Sequence, residues 1–328
     1  MADTPLRRLA DVAGVDFPNL FAARERTDSA LKERHEKLAE LDRDSDVSVV
    51  LMGSWGRAEL TSGSDDDWMV LVYGRERKYV VPTIPQVAEV LGNQPGPEDL
   101  FGKVVYSDDL KNNIGLDRDT NANLTRRMLL LLESVPVVGE HAWRGAREEV
   151  LAGYLQEPIK DYRPPRFFLN DVIRYWRTVA VDFEAKFRER SASGFGLRNA
   201  KLRTSRKLLF ASGLLPVLEC DQLEVKDMQR FLSERFEAPP TDRIAEAFLN
   251  YADVDAGVRT MRAYDQFIGA LDRADFRDAL KALSPGDVGD SHEFAHARSL
   301  GREIQAGLLS LLMETPELYP RVREYVVF

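Results

Sequence analysis

The run Met52-Gly53-Ser54-Trp55-Gly56-Arg57-Ala58-Glu59-Leu60, followed closely by Ser64-Asp65-Asp66-Asp67-Trp68-Met69-Val70-Leu71-Val72, decides how this chain folds. It reads as strand, glycine turn, short helix, loop and strand. Val47 to Met52 is an apolar, β-branched run long enough for a buried strand. Gly53-Ser54 breaks it, because glycine permits a sharp turn and close approach to a ligand. Ser54 offers a hydroxyl that can cap a following helix, and the free N–H groups of a helix start favour phosphate. Gly63 and Ser64 lead into the second strand. Asp65 and Asp67 are two apart on it, so both carboxylates face one side, roughly 7 Å apart at Cα. Two carboxylates beside a phosphate-binding turn suit a divalent metal, since Mg²⁺ takes hard oxygen ligands and is commonly held by one or two carboxylates plus substrate phosphates.

This order of parts resembles the signature of the DNA polymerase β nucleotidyltransferase superfamily: a strand, Gly-Ser or Gly-Gly, about ten residues, then Asp-x-Asp between apolar residues. The likeness is closer still to PII-protein uridylyltransferases and related nucleotidyltransferases, which carry Gly-Tyr-Gly-Arg-Gly-Glu-Leu before Ser-Asp-Ile-Asp. Here the stretch stands as Gly53-Ser54-Trp55-Gly56-Arg57-Ala58-Glu59-Leu60, then Ser64-Asp65-Asp66-Asp67. The match covers residues 47–72, and a looser likeness runs through Leu124–Ser134 to Gly139. Asp66 departs from the pattern, standing where the family has an aliphatic residue, although Trp68 and Val70 keep that face apolar.

The resemblance implies transfer of an NMP from an NTP to an acceptor hydroxyl, with release of pyrophosphate. It implies Mg²⁺ or Mn²⁺ on Asp65 and Asp67, phosphates held by Gly53 and Ser54, and Arg57 steadying the loop or meeting a phosphate. A third carboxylate belongs on a neighbouring strand. Asp108, at the end of Val104-Val105-Tyr106, is the candidate, with Asp109, Asp99 and Asp117 as rivals. A helical domain is expected to close over the nucleotide and bring Arg198 and Lys201, three apart on one helix face, to the triphosphate. The acceptor stays open among a protein, an RNA and a small molecule, because the chain is too short for the regulatory domains that those uridylyltransferases append. A reading of a different class is a catalytically weak nucleotide-binding module.

Composition sets outer bounds. The chain has 328 residues, 44% hydrophobic and 30% charged, as in ordinary globular proteins. A net charge of -9 argues against a general nucleic-acid coat or a binder of anionic membranes. The single Cys220 excludes an intramolecular disulfide and fits a reducing compartment. No signal pattern and no bilayer-spanning apolar stretch are evident, so a cytoplasmic location is expected.

The fold class read from this chain is α+β: an N-terminal helical segment (1–45), a small mixed-sheet nucleotidyltransferase core (46–140) and a larger all-helical domain (141–328). Leu31, His35, Leu38 and Leu41 recur at helical spacing, with Asp28-Ser29 as a start and His35 as a packing or surface residue. A helix is expected from about Leu124 to Ser134, capped by Thr120 or Asn121, with Val137-Val138-Gly139 as a connector. Phe167 to Phe187 places Leu169, Val172, Ile173, Trp176, Val179, Ala180, Phe183 and Phe187 on one core-facing stripe. A basic helix carrying Arg198, Lys201, Arg203, Arg206 and Lys207 follows, closed by Gly213 and Pro216. Further helices are read over Lys226–Glu237, Asp242–Tyr251, Val258–Leu271 and Ser291–Met313. His292-Glu293-Phe294-Ala295-His296 fits the zinc-peptidase pattern H-E-x-x-H. Its extension fails, however, with Ser299 and Arg302 where glycine and histidine belong, and only the distant Glu317 offers a third ligand. The simpler expectation there is a surface helix start.

Overall fold

The computed structural model describes residues 3–43, 45–75, 83–91, 100–156, 159–189 and 194–327. Strands β1 (Val47–Met52) and β2 (Trp68–Val72) form on the two apolar runs, and every residue of both is buried. They pair antiparallel, with Val49 opposite Val70. β3 (Val104–Tyr106) adds parallel to β2 and β4 (Ser134–Val138) antiparallel to β1, giving a mixed sheet of order β3-β2-β1-β4. Val49, Leu51, Trp68 and Val70 pack on one face with Leu38, Trp55 and Val87, whereas Val50, Met52, Met69 and Leu71 face a second core. Burial on both faces is why these strands read as continuous apolar runs. The expected connector at Val137-Val138 is part of β4. Pro136 lies within it, which an edge strand tolerates because no neighbour needs its missing N–H.

Helices α1 (Pro5–Ala13) and α2 (Pro18–Leu38) precede the sheet, and α2 runs straight through Asp28-Ser29, the expected start. His35 of α2 meets the Val137 carbonyl at 2.8 Å, a packing role. Between strands lie α3 (Thr83–Leu91), α4 (Ser107–Lys111) and α5 (Asn121–Leu132). Thr120 caps α5 by accepting the Asn123 N–H. The remaining chain is helical: α6 (Glu140–Tyr154), α7 (Arg166–Glu189), α8 (Phe195–Arg203), α9 (Ser205–Glu219) and α10 (Val225–Glu237) come first. They are followed by α11 (Pro240–Tyr251), α12 (Val254–Asp272), α13 (Ala274–Ala282), α14 (His292–Glu314) and α15 (Tyr319–Val322). The class is therefore α+β, a small mixed sheet with a larger helical part.

The N-terminal helices are built into that helical part. Leu6, Leu9 and Phe17 share a core with Phe248, Phe267 and Ile304. Asp242 accepts the Leu6 N–H at 3.0 Å, and Asp265 accepts the Leu20 N–H at 2.9 Å. The second core crosses residue 140 in the same way, joining β1 and β2 to α5, α6, α7 and α9. Residues 45 and 140 therefore mark changes of element type rather than breaks in packing.

The expected basic helix is two helices. The chain breaks at Thr204 (φ -120, ψ -92), so Lys201 lies in the last turn of α8 while Arg206 lies in the first turn of α9. Pro216, expected beyond the helix, sits inside α9. Proline removes the N–H that would bond the Ser212 carbonyl, and the Arg243 guanidinium donates to that oxygen instead, at 3.3 Å. Arg243 also donates to the Leu132 carbonyl (2.6 Å) and Arg147 to that of Leu131 (3.4 Å), satisfying the C-terminal end of α5. Burial pushes these guanidiniums down, to about 9 for Arg243 and about 10 for Arg147. Among the described residues, no helix is long and apolar enough to cross a membrane.

Candidate functional site

β1 delivers the chain into a turn, not the expected short helix. Gly53 adopts a left-handed φ of 68 and donates its N–H to the Glu133 carbonyl at 3.1 Å. The turn closes through Arg57 N–H to Gly53 O, Ala58 N–H to Trp55 O and Glu59 N–H to Ser54 O. Among the described residues, no acceptor meets the N–H groups of Ser54, Trp55 and Gly56. Main-chain donors seek partners, and successive free N–H groups in a turn make an anion-binding concavity without any helix dipole. Gly56 is required by space: a Cβ there would lie 2.0 Å from the Glu133 carbonyl carbon. At Gly53 a Cβ would come within 3.3 Å of an Asp67 carboxylate oxygen, so the turn and the acid touch.

Asp65, Asp66 and Asp67 lead into β2. The Asp67 carbonyl already accepts the Met52 N–H at 2.8 Å, so ladder alternation reaches back to this residue. Asp65 and Asp67 line one cleft together with Gly53, Ser54, Arg57 and Glu59. Asp66 points the other way. It accepts from the Trp55 indole (3.0 Å) and from Arg34 (3.3 Å), whose guanidinium lies 4.4 Å over the same Trp55 ring. The apparent mismatch with an aliphatic position is thus a buried polar anchor. Burial raises its carboxyl, partly offset by Arg34 and Trp55. Asp67 is pushed up to about 6, first by burial; Arg206 and Lys201 oppose this while Asp65 and Glu133 add to it.

The opposite wall is helical. Leu197, Lys201, Ser205 and Arg206 come from α8 and α9, Ile268 and Leu271 from α12, and Arg277 and Lys281 from α13. Lys201 has exposed surface, yet protein atoms crowd its ammonium. That desolvation, with Arg206 and Arg57 nearby, lowers it to about 8 against the pull of Asp65 and Asp67. Arg57 is buried and paired with Glu59 and Glu133, so its charge is already answered. Glu133 is fully buried and also accepts from Arg206 (2.7 Å) and the Tyr175 hydroxyl (3.1 Å). Burial works to raise Glu133, but Arg206 and Arg57 outweigh it and hold it below the ordinary range. The loop between turn and acids is strapped to the helical wall: Asp272 accepts the Ser62 N–H at 2.8 Å and pairs with Arg26, while Arg277 donates to the Ser62 hydroxyl.

The structure thus brings together Gly53, Ser54, Arg57, Asp65, Asp67 and Lys201. It does not bring Asp108 or Arg198. β3 runs parallel to β2 with Tyr106 beside Val72, so Asp108 lies past the far end of the strand that Asp67 precedes. Five strand residues at about 3.3 Å each separate those ends. Asp108 instead pairs with Lys111 (3.1 Å) and Arg75 (3.4 Å). Its rival Asp109 starts the same α4, Asp117 is exposed on the following loop, and Asp99 lies outside the described residues. Arg198, in the first turn of α8, turns back toward Gly194 and does not line the cleft. Glu133, Arg277 and Lys281 received no role from the sequence, since nothing local marks a residue whose partners lie so far along the chain. Arg206 was visible only as one of a basic run.

Among the described residues, no three or more His, Cys, Asp or Glu side chains converge as metal ligands. His292 and His296 open α14 on the surface, where Ser291 caps the helix and His296 stands edge-on to Phe276. A roomier groove of about 480 Å³, against about 130 Å³ for the cleft, is lined by Tyr154, Lys160, Arg163, Arg166 and Phe167. Among the described residues its lining holds one carboxylate, Glu324, and no acid pair, so chemistry rather than size selects the cleft. Comparison with protein-family models returns no match, and neither does comparison with curated protein sequences.

Proposed function

We propose that this chain is a metal-dependent nucleotidyltransferase that moves an NMP from an NTP to an acceptor hydroxyl. One observation carries the reading: an acid pair and an anion-binding turn form one wall of a cleft whose other wall is cationic. The donor set fits Mg²⁺ or Mn²⁺. Asp65 and Asp67 are hard oxygen donors on one side of the chain, and their mutual repulsion is relieved by a cation. When bound, the metal would neutralise phosphate charge and lower the pKa of the acceptor hydroxyl.

The residues of the chain supply the rest. The free N–H groups of Ser54, Trp55 and Gly56 receive phosphate oxygens, with the Ser54 hydroxyl beside them. Lys201 and Lys281 offer ammonium groups from the facing wall, and Arg206 offers the free edge of its guanidinium. Held so, the α-phosphorus is open to in-line attack. The acceptor oxygen–phosphorus bond forms, the bond to pyrophosphate breaks, and the hydroxyl proton passes to solvent. The acceptor is a protein, an RNA or a small molecule, and a cytoplasmic setting would supply the NTP. A second reading, a nucleotide-binding module with weak catalysis, is favoured by one observation: among the described residues, no third carboxylate free of arginine partners joins Asp65 and Asp67.

The test incubates the protein and Mg²⁺ or Mn²⁺ with each NTP labelled at the α-phosphate. The acceptors are the protein itself, cell lysate, tRNA or none. Label transfer that disappears in Asp65→Ala and in Asp67→Ala is expected. Transfer surviving both substitutions overturns the reading, and NTP binding without pyrophosphate release moves it to the second.

A further inference from the structure

Beyond Asp65, the charge of Glu133 also acts on Asp67, and the obvious thought is that it completes a ligand set. Its partners exclude that. One oxygen accepts from Arg206 and Tyr175, and the other from Arg57. Both are consumed inside the protein, and the residue has no solvent exposure. Arg57 and Arg206 belong to opposite walls, one in the glycine turn and one at the start of α9. A carboxylate shared by two guanidiniums therefore ties the turn to the helical wall. Arg206 keeps about 30% of its side chain exposed and lines the cleft. A guanidinium has five donors in a planar fork, so one edge can rest on Glu133 while the other faces the cleft.

We propose that Glu133 is a positioning residue: it holds Arg206 at the cleft so that the free guanidinium edge binds the polyphosphate of the nucleotide. This rests on the nucleotide reading above. Fixing a long side chain beforehand removes the entropy cost of ordering it on binding. The buried carboxylate thus acts on the ligand only through Arg206.

The test measures binding of inorganic triphosphate by calorimetry, without nucleotide and without turnover. It uses the full chain and Arg206→Ala, Glu133→Gln, their double variant, and Tyr175→Phe. Arg206→Ala is expected to weaken binding about tenfold, the loss of roughly one charge-assisted contact. Glu133→Gln should weaken it similarly, and the double variant should be no worse than Arg206→Ala alone. Tyr175→Phe removes a Glu133 partner that does not reach the cleft, so it should lower the melting temperature and leave the affinity within about twofold. Arg206→Lys retains the charge without the fork and should recover only part of the affinity. Should Glu133→Gln fail to fold, Glu133→Asp takes its place: the shorter side chain withdraws from Arg206 with its charge kept, so a loss like that of Arg206→Ala supports the positioning role and wild-type affinity overturns it. Wild-type affinity in Glu133→Gln, or additive losses in the double variant, overturns the positioning role while leaving the transferase reading intact. Failure of the wild-type protein to bind triphosphate overturns both.

Discussion

Asp65, Asp66 and Asp67 sit side by side in the chain and meet two environments, the cleft for Asp65 and Asp67 and the Trp55–Arg34 side for Asp66, so Asp67 and Asp66 predict different mutants. Asp67 ordinarily titrates at 3.8 and is raised to about 6. Between those values the folded protein keeps a proton that the unfolded chain has released, so this residue's effect on stability becomes less favourable as pH rises from about 4 to about 6. Asp67→Asn should therefore stabilise the metal-free protein by about 1–2 kcal/mol near pH 7.5, read by urea denaturation. Label transfer in the same variant should fall at least about a hundredfold. For the wild-type protein, metal affinity should weaken below about pH 6, where the proton competes, and titration calorimetry across pH checks this. Asp66→Ala should behave oppositely. It strands the Trp55 indole N–H and Arg34, costing about 1–3 kcal/mol in denaturant while turnover per folded molecule stays close to wild type. Period-two spacing made the Asp65/Asp67 pairing legible from sequence. The buried anchor role of Asp66 was not, because Arg34 reaches it from a helix about thirty residues earlier.

At the scale of elements, the turn works only because β1 and the α5–β4 junction lie almost in contact. Gly56→Ala puts a methyl group onto the Glu133 backbone and should cost about 2–3 kcal/mol with loss of phosphate binding. Gly289→Ala, where nothing lies within 4 Å, is the control and should leave both unchanged. The loop strap predicts a local effect: Asp272→Ala frees the Ser62 N–H and the Arg26 guanidinium, while the hydroxyl keeps its main-chain partner, so hydrogen exchange at residues 61–64 should accelerate while the sheet stays protected. Strands and most helices were legible because periodicity acts within one element. Three boundaries were not. Pro136 lies in a strand because that strand is an edge, Pro216 lies in a helix because Arg243 serves the freed carbonyl, and the break at Thr204 carries no glycine or proline signal.

For the whole molecule, the N-terminal helices are part of the helical core, and the end of α2 also packs on the sheet. Leu9→Ala should cost about 2–4 kcal/mol by denaturant titration, the scale of a buried leucine cavity, although Leu9 is remote in sequence from its core partner Phe267. What the chain's own order determined was local: a strand, a glycine turn, two carboxylates on one side of the segment that enters the next strand, and a long apolar stripe on α7. These follow from backbone geometry and side-chain alternation, which operate over a few residues. Packing alone decided which cations confront the acids. Lys201, Arg206, Arg277 and Lys281 reach the cleft because α8, α9 and α13 pack there, and Arg198 misses it by its place on the helix. Asp108 is excluded because its strand runs parallel to β2. A cleft charge pattern is a sum over elements separated by more than a hundred residues, and no local rule encodes that sum.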